Sequence, residues 1–196
     1  MDKGIKTLLD AIAKAEGHGR PLTYDTSYAY GKYNGGTFYP SRMSLGAVKA
    51  LQKRMIANQA GRKLRSSAIG RYQFIQKTLR ACQKAFGHSD NILFSPVIQD
   101  KYAAYLLHIR GFDRWRDSKM STAQFQNNLA KEWASIPNTK GRSHYGQGVG
   151  ISNATLQKAL RGARDRTPIS GYGRQVPQKR PSFFEWLADL FERWLS

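Results

Sequence analysis

Three short blocks hold the side chains best suited to chemistry on a polar substrate: Glu16, the run Arg71-Tyr72-Gln73, and the group His144, Tyr145 and Gln147. Glu16 closes an apolar N-terminal helical pattern just before Gly17. A carboxylate there is disfavoured by the helix dipole, and partial desolvation would raise its pKa further, which suits a general acid working near neutral pH. The ordinary alternative is an exposed final-turn glutamate. Tyr72 and Gln73 follow Gly70, whose freedom at positive φ permits a tight approach to the next helix. A flat ring and an amide there can stack on a sugar and hydrogen-bond to it, or simply pack and cap. His144 has no spaced partner and reads as a polar loop residue. The histidines at 18, 88, 108 and 144 form no HExxH or similar local motif, so no metal site and no cofactor are expected.

The elements that must position these groups follow from periodicity and punctuation. Ile5, Leu8, Leu9, Ile12, Ala13 and Ala15 give residues 3–16 one apolar stripe, ended by Gly17 and Gly19. From His18 to Ser44 the chain is dense in Tyr and Gly, long for a plain connection, and reads as a functional wall. The Asn34-Gly35 turn signal followed by Thr37, Phe38 and Tyr39 predicts a small β-hairpin. Ser44 caps a second helix over 44–57, a third is expected over 74–86 ending at Gly87, and Ser95-Pro96 starts a fourth that Gly111 ends. Ser121 with Gln124 fits a capping box for a helix reaching Trp133 or Ala134, and Ser152 to Leu160 makes one more. Between these last two, Pro137, Gly141, Gly146 and Gly148 forbid a regular helix over 133–148. The pattern predicts a mainly α domain (α+β) with a small β element.

Composition bounds the function. A chain of 196 residues holds one sizeable core, or one domain with an appendage. There is no apolar run long enough to span a membrane and no ordinary secretory signal pattern, so work outside the cytoplasm would need another route of delivery. Cys82 is the single cysteine, and its place in the apolar pattern of the third helix predicts a buried thiol. With 32 basic against 13 acidic residues, the net charge of +19 favours a polyanionic partner: nucleic acid, an anionic membrane or an acidic cell-wall polymer. No zinc-finger spacing and no basic arm continuous with a leucine repeat are present. A basic nucleic-acid-binding module without catalysis is therefore an alternative, with no specific nucleic acid expected.

Four blocks in one order, Glu16-Gly17, Gly35-Gly36, SSAIGRYQF at 66–74 and WASIPNTKGRSHYGQG at 133–148, resemble the bacteriophage lambda endolysin family. Those proteins are peptidoglycan lytic transglycosylases with a lysozyme-like fold, and the resemblance covers roughly residues 3–163. It implies that Glu16 is the catalytic acid and that Gly35, Gly36, Arg71, Tyr72, Gln73, Tyr145 and Gln147 bind substrate. Between Asn138 and His144 the chain is longer than the family pattern, so no role for His144 is carried over. The implied reaction cleaves the β-1,4 bond between N-acetylmuramic acid and N-acetylglucosamine, leaving 1,6-anhydromuramoyl ends. A hydrolytic muramidase would need a second carboxylate. Asp25 is the nearest candidate in sequence, in a segment where a turn role competes, while Asp90, Asp100, Asp113, Asp117 and Glu132 read as solvated or ion-paired. The resemblance also implies action in the periplasm or at the cell wall, with delivery by a holin, a secretion system or a virion.

The domain division expected is a catalytic unit over 1–164, a basic Pro/Gly-rich linker over 165–181, and an amphipathic helix over 182–196. Ser182 with Glu185 supplies its capping box, and Phe183, Trp186, Leu187, Leu190, Phe191, Trp194 and Leu195 line one face. That face could close on the catalytic domain, join a protein partner or lie on an anionic membrane surface, with Arg174, Lys179 and Arg180 adding charge.

Overall fold

A computed structural model describes residues 1–169. The basic linker beyond 169 and the amphipathic helix expected over 182–196, with its membrane or protein partner, lie outside the described residues. Among the described residues, seven α-helices follow in order as α1 (Lys3–Glu16), α2 (Leu45–Ala57), α3 (Gln76–Phe86), α4 (Pro96–Ile109), α5 (Phe112–Arg116), α6 (Thr122–Glu132) and α7 (Asn153–Gly162). Their starts are set by side-chain caps. The Oδ1 of Asp2 accepts from the Ile5 N–H at 2.8 Å, and the hydroxyls of Ser44, Ser121 and Ser152 accept from Ala47, Gln124 and Thr155 N–H at 3.1–3.2 Å. Gly87 ends α3 in the left-handed conformation at φ 62°.

Helix α1 packs on α7 and α4, α3 lies between α2 and α4, and α5 joins α4 to α6. Leu8, Leu9 and Ile12 of α1 enter a common core with Leu51 and Met55 of α2, Tyr102 of α4 and Phe125 of α6. Cys82 is buried in that core as a thiol, as expected. Residues 165–169, where the linker was expected to begin, return to the N-terminus: Lys3 N–H donates to Thr167 O and Gly4 N–H to Asp165 O, both at 2.9 Å.

The hairpin expected after Asn34-Gly35 does not form. Among the described residues there is no β-strand, and the fold is all-α with isolated bridges only, among them Ser27–Ile69 and Ile69–Phe74. Asn34 is drawn inward, where its side chain and the Ser27 hydroxyl exchange bonds at 2.9–3.1 Å. The residues after Gly36 find no partner strand. They run into a 3-10 turn at Pro40–Arg42, and Phe38 is covered by the Arg54 guanidinium at 5.2 Å instead.

Helix α3 begins at Gln76 rather than 74 because Phe74 has another commitment. Its N–H donates to Ile69 O at 2.9 Å and its carbonyl accepts from Ile69 N–H at 3.1 Å, closing residues 70–73 into a tight turn. Gly70 (φ 79°) makes that turn possible, since a Cβ there would lie 2.4 Å from Gln99 Oε1. Helix α5 was not foreseen. Gly111 ends α4 as predicted, but at φ 98° it also turns the chain into the buried pair Phe112 and Trp115.

Candidate active site

Helix α1 delivers Glu16 to the wall of a cleft of about 730 Å3, opposite the 66–78 segment and beside the 131–147 segment. Gly17 permits the abrupt exit from the helix, because a Cβ there would meet the Arg20 carbonyl oxygen at 1.8 Å. On the other side, Gly150 lies directly against the helix end, where a Cβ would fall 1.7 Å from Ala15 O. The Gly150 N–H donates to Ser135 O at 2.8 Å, so one glycine fixes Ser135 relative to the last turn of α1.

This packing determines the electrostatics of Glu16. The residue keeps part of its surface open to the cleft, but its Oε1 is shielded and receives no hydrogen bond. Burial raises the carboxyl pKa from 4.5 to about 7, and the backbone and hydroxyl of Ser135 pull in the opposite direction without cancelling it. The group is therefore divided between acid and base near neutral pH, the poise required for donating a proton and later accepting one.

The other carboxylate on the cleft wall is Glu132, and it is already committed. Its Oε2 accepts from Arg110 Nε at 2.7 Å, and both side chains are nearly inaccessible. Asp25 is not on this wall. Its Oδ1 accepts from the Ser41 N–H at 2.8 Å, capping the Pro40–Arg42 turn. Among the described residues no group of His, Cys, Asp and Glu is placed to hold a metal ion.

The 70–73 turn divides its side chains between cleft and core. Gln73 lines the cleft at φ 52°, with Nε2 donating to Gly70 O at 2.9 Å. Tyr72 touches the cleft but is only 2% exposed, and its hydroxyl donates to Asp100 Oδ1 at 2.6 Å. Tyr24 donates to the same oxygen at 2.9 Å. Burial, with the Asp100 charge added, pushes the Tyr72 phenol far above its usual range, so it is a locked neutral donor. Arg71 points away from the cleft, donating to Leu22 O at 2.9 Å and Asp10 Oδ1 at 3.0 Å while lying over the Tyr24 ring.

Tyr145 and Gln147 reach the cleft from the glycine-rich loop. Tyr145 is 57% exposed, and its hydroxyl is tied to Lys131 O at 2.8 Å. His144 stands edge-on to the Tyr145 ring at 4.8 Å and is not part of the cleft wall. Gly35 lies near Arg54 and Asn58 rather than in the cleft, and Gly36 lines a separate, smaller cavity.

Backbone strain marks the same place. His18, Ala29, Tyr30 and Gln73 all line the cleft with φ between 50° and 53°, a region that L residues rarely occupy. Ser135 is among the cleft residues that sequence reasoning left without a role. Tyr30 belongs to the Tyr-rich wall expected from the sequence, whereas Ser135 lay inside the 133–148 block with no spacing signal toward Glu16.

A single carboxyl held near neutrality on a cleft wall, inside a frame that is all-helical among the described residues, is the arrangement of a lysozyme-like enzyme. The family model described as Endolysin matches residues 6–163, and the chain belongs to the endolysin family. The fold is similar to that of the bacteriophage lambda lysozyme solved as a complex with a chitohexasaccharide, with a TM-score of 0.55. That alignment covers 86% of this chain and 98% of the other at 23% identity, which speaks to the fold alone. No curated protein sequence matches the chain.

Proposed function

We propose that the protein is a peptidoglycan lytic transglycosylase that cleaves the β-1,4 bond between N-acetylmuramic acid and N-acetylglucosamine. The observation that carries this reading is the isolation of Glu16. Of the two carboxylates on the cleft wall, one is raised to about 7 and the other is bound to Arg110. A hydrolase of the two-carboxylate kind needs a second, unengaged carboxylate to activate water or attack the sugar. Here Asp25 would have to leave Ser41 to serve. The bound hexasaccharide of the lambda lysozyme supports a β-1,4-linked glycan as the occupant of the cleft.

In the reaction proposed, protonated Glu16 gives its proton to the glycosidic oxygen as the C1–O bond of the muramoyl residue breaks. The carboxylate left behind takes a proton from that sugar's own 6-hydroxyl. The 6-oxygen then bonds to C1, closing the 1,6-anhydro ring and regenerating protonated Glu16 with no water consumed. Gln73, Tyr145 and Gln147 act as positioning groups along the cleft, and Tyr72 holds the turn that carries Gln73. The site of action is the periplasm or cell wall, reached through a holin, a secretion system or a virion.

Mass spectrometry of digested glycan strands tests the reading. Anhydro ends are about 18 mass units lighter than hydrolysed ends and carry no label from heavy-oxygen water. Reducing ends bearing the label would replace the transglycosylase by a hydrolytic muramidase while leaving Glu16 as its acid.

A further inference from the structure

A second cavity, of about 370 Å3, shares Thr26, Ser27 and Tyr30 with the cleft and so adjoins it. At roughly 30 Å3 per water it holds about a dozen, the volume of a short peptide segment. The junction is a strained point. Ala29 and Tyr30 are consecutive non-glycine residues at φ 51° and 53°, and Tyr30 stands 81% exposed between the two spaces. Asp25, Gly36 and Phe38 are among the residues that wall the cavity.

The charge around it is one-sided. No Asp or Glu occurs from residue 26 to residue 89. Arg54 lies over Phe38 at 5.2 Å, while Arg62 at 5.4 Å and Lys32 at 5.8 Å lie over Tyr33 nearby. All three cations are exposed, and none forms an ion pair with a described carboxylate. Elsewhere arginines find acids, as Arg71 finds Asp10, Arg110 finds Glu132 and Arg116 finds Asp2. Within this cationic surround Asp25 is a single negative wall residue whose Oδ1 is engaged by Ser41.

We infer that this cavity is a subsite for the peptide stem that a wall glycan carries on its muramoyl lactyl group, with the Arg54, Arg62 and Lys32 face receiving the stem's carboxylates and Asp25 its side-chain ammonium. The inference rests on the peptidoglycan reading above. The ligand class is a short peptide with several carboxylates and one free amine, and the consequence is a preference for stem-bearing over bare glycan. Exposed pairs in high dielectric are individually weak, so three of them amount to about a five- to tenfold preference at low salt.

The test compares kcat/KM on purified glycan strands with intact stems and on strands stripped by an amidase, for the wild type, Arg54→Gln and the double variant Lys32→Gln/Arg62→Gln. The wild type is expected to favour stem-bearing strands, with a ratio falling toward one at high salt; Arg54→Gln should lower that ratio about twofold and the double variant about three- to fivefold. A wild-type ratio of one, or a ratio that ignores the substitutions, overturns the inference. In parallel, a free tetrapeptide stem is titrated and followed by NMR at Asn34 and Phe38. Asp25→Asn, which keeps an acceptor for Ser41, should weaken binding of the stem with a free amine and not of its N-acetylated form. If neither glycan is cleaved, the catalytic reading fails, and the titration still decides the subsite. Anionic vesicles that compete for the same cations, with no response to the tetrapeptide, would assign the face to a membrane and defeat the inference.

Discussion

Glu16→Gln separates catalysis from folding because the carboxyl is a burden to the folded protein at neutral pH. Its pKa rises from 4.5 to about 7 through burial. At about 1.4 kcal/mol per pH unit that rise converts to roughly 3 kcal/mol, and the part of the side chain facing the cleft reduces it to about 2 kcal/mol. The folded state holds the proton more tightly than the unfolded chain does. The carboxyl's favourable contribution is therefore complete below pH 4.5, is lost between pH 4.5 and 7, and is absent above. A glutamine does not titrate. The melting-temperature difference, variant minus wild type, should thus grow by about 4–8 °C between pH 4 and pH 8. Any fixed offset from placing an amide beside the shielded Oε1 position appears equally at both pH values and cancels. Release of muropeptides from purified peptidoglycan should fall by about 10²–10⁴-fold, and the wild-type rate should decline above pH 7 as the acid form is lost. Calorimetry across the pH series with a parallel release assay makes the check. A melting difference that does not change with pH would refute the burial argument, and near-normal turnover by folded E16Q would refute the catalytic one.

Gly150→Ala places a methyl group 1.7 Å from Ala15 O, so it should lower stability by about 3 kcal/mol and reduce turnover by displacing Ser135 and Glu16 together; a denaturant titration with the release assay reads both. Arg110→Met removes the cation that offsets the Glu132 charge and should destabilise by about 3–5 kcal/mol, whereas the double change Arg110→Met/Glu132→Leu should recover most of the loss in the same titration. Deleting 182–196 should alter vesicle sedimentation, solubility or thermal stability while release from purified peptidoglycan persists, and an unchanged protein in all three would mark that segment as dispensable.

Local chemistry was enough to place most of the helices. Asp2, Ser44, Ser95, Ser121 and Ser152 accept hydrogen bonds from backbone groups three residues on, and Gly87 turns left-handed by itself, so these boundaries depend on neighbours in the chain. Where the sequence misled, a partner five to seven residues away had taken over. Phe74 carried helical spacing but was held by Ile69, and Asn34-Gly35 carried a hairpin signal but Asn34 was bound by Ser27.

The candidate site divides in the same way. Residue types alone put Glu16 at a helix end and Gln73 at a turn, because both placements are local consequences of Gly17 and Gly70. Only the tertiary structure decided which way each side chain faces and what charge it carries. The rise of the Glu16 pKa needs residues 133–151 folded over the end of α1, and Tyr72 turns inward because Asp100, twenty-eight residues away, accepts its hydroxyl. Glu132 leaves the set of available carboxylates because Arg110 of α4's C-cap reaches it. Burial and charge are sums over neighbours brought from distant parts of the chain, and so they are fixed by packing rather than by local sequence.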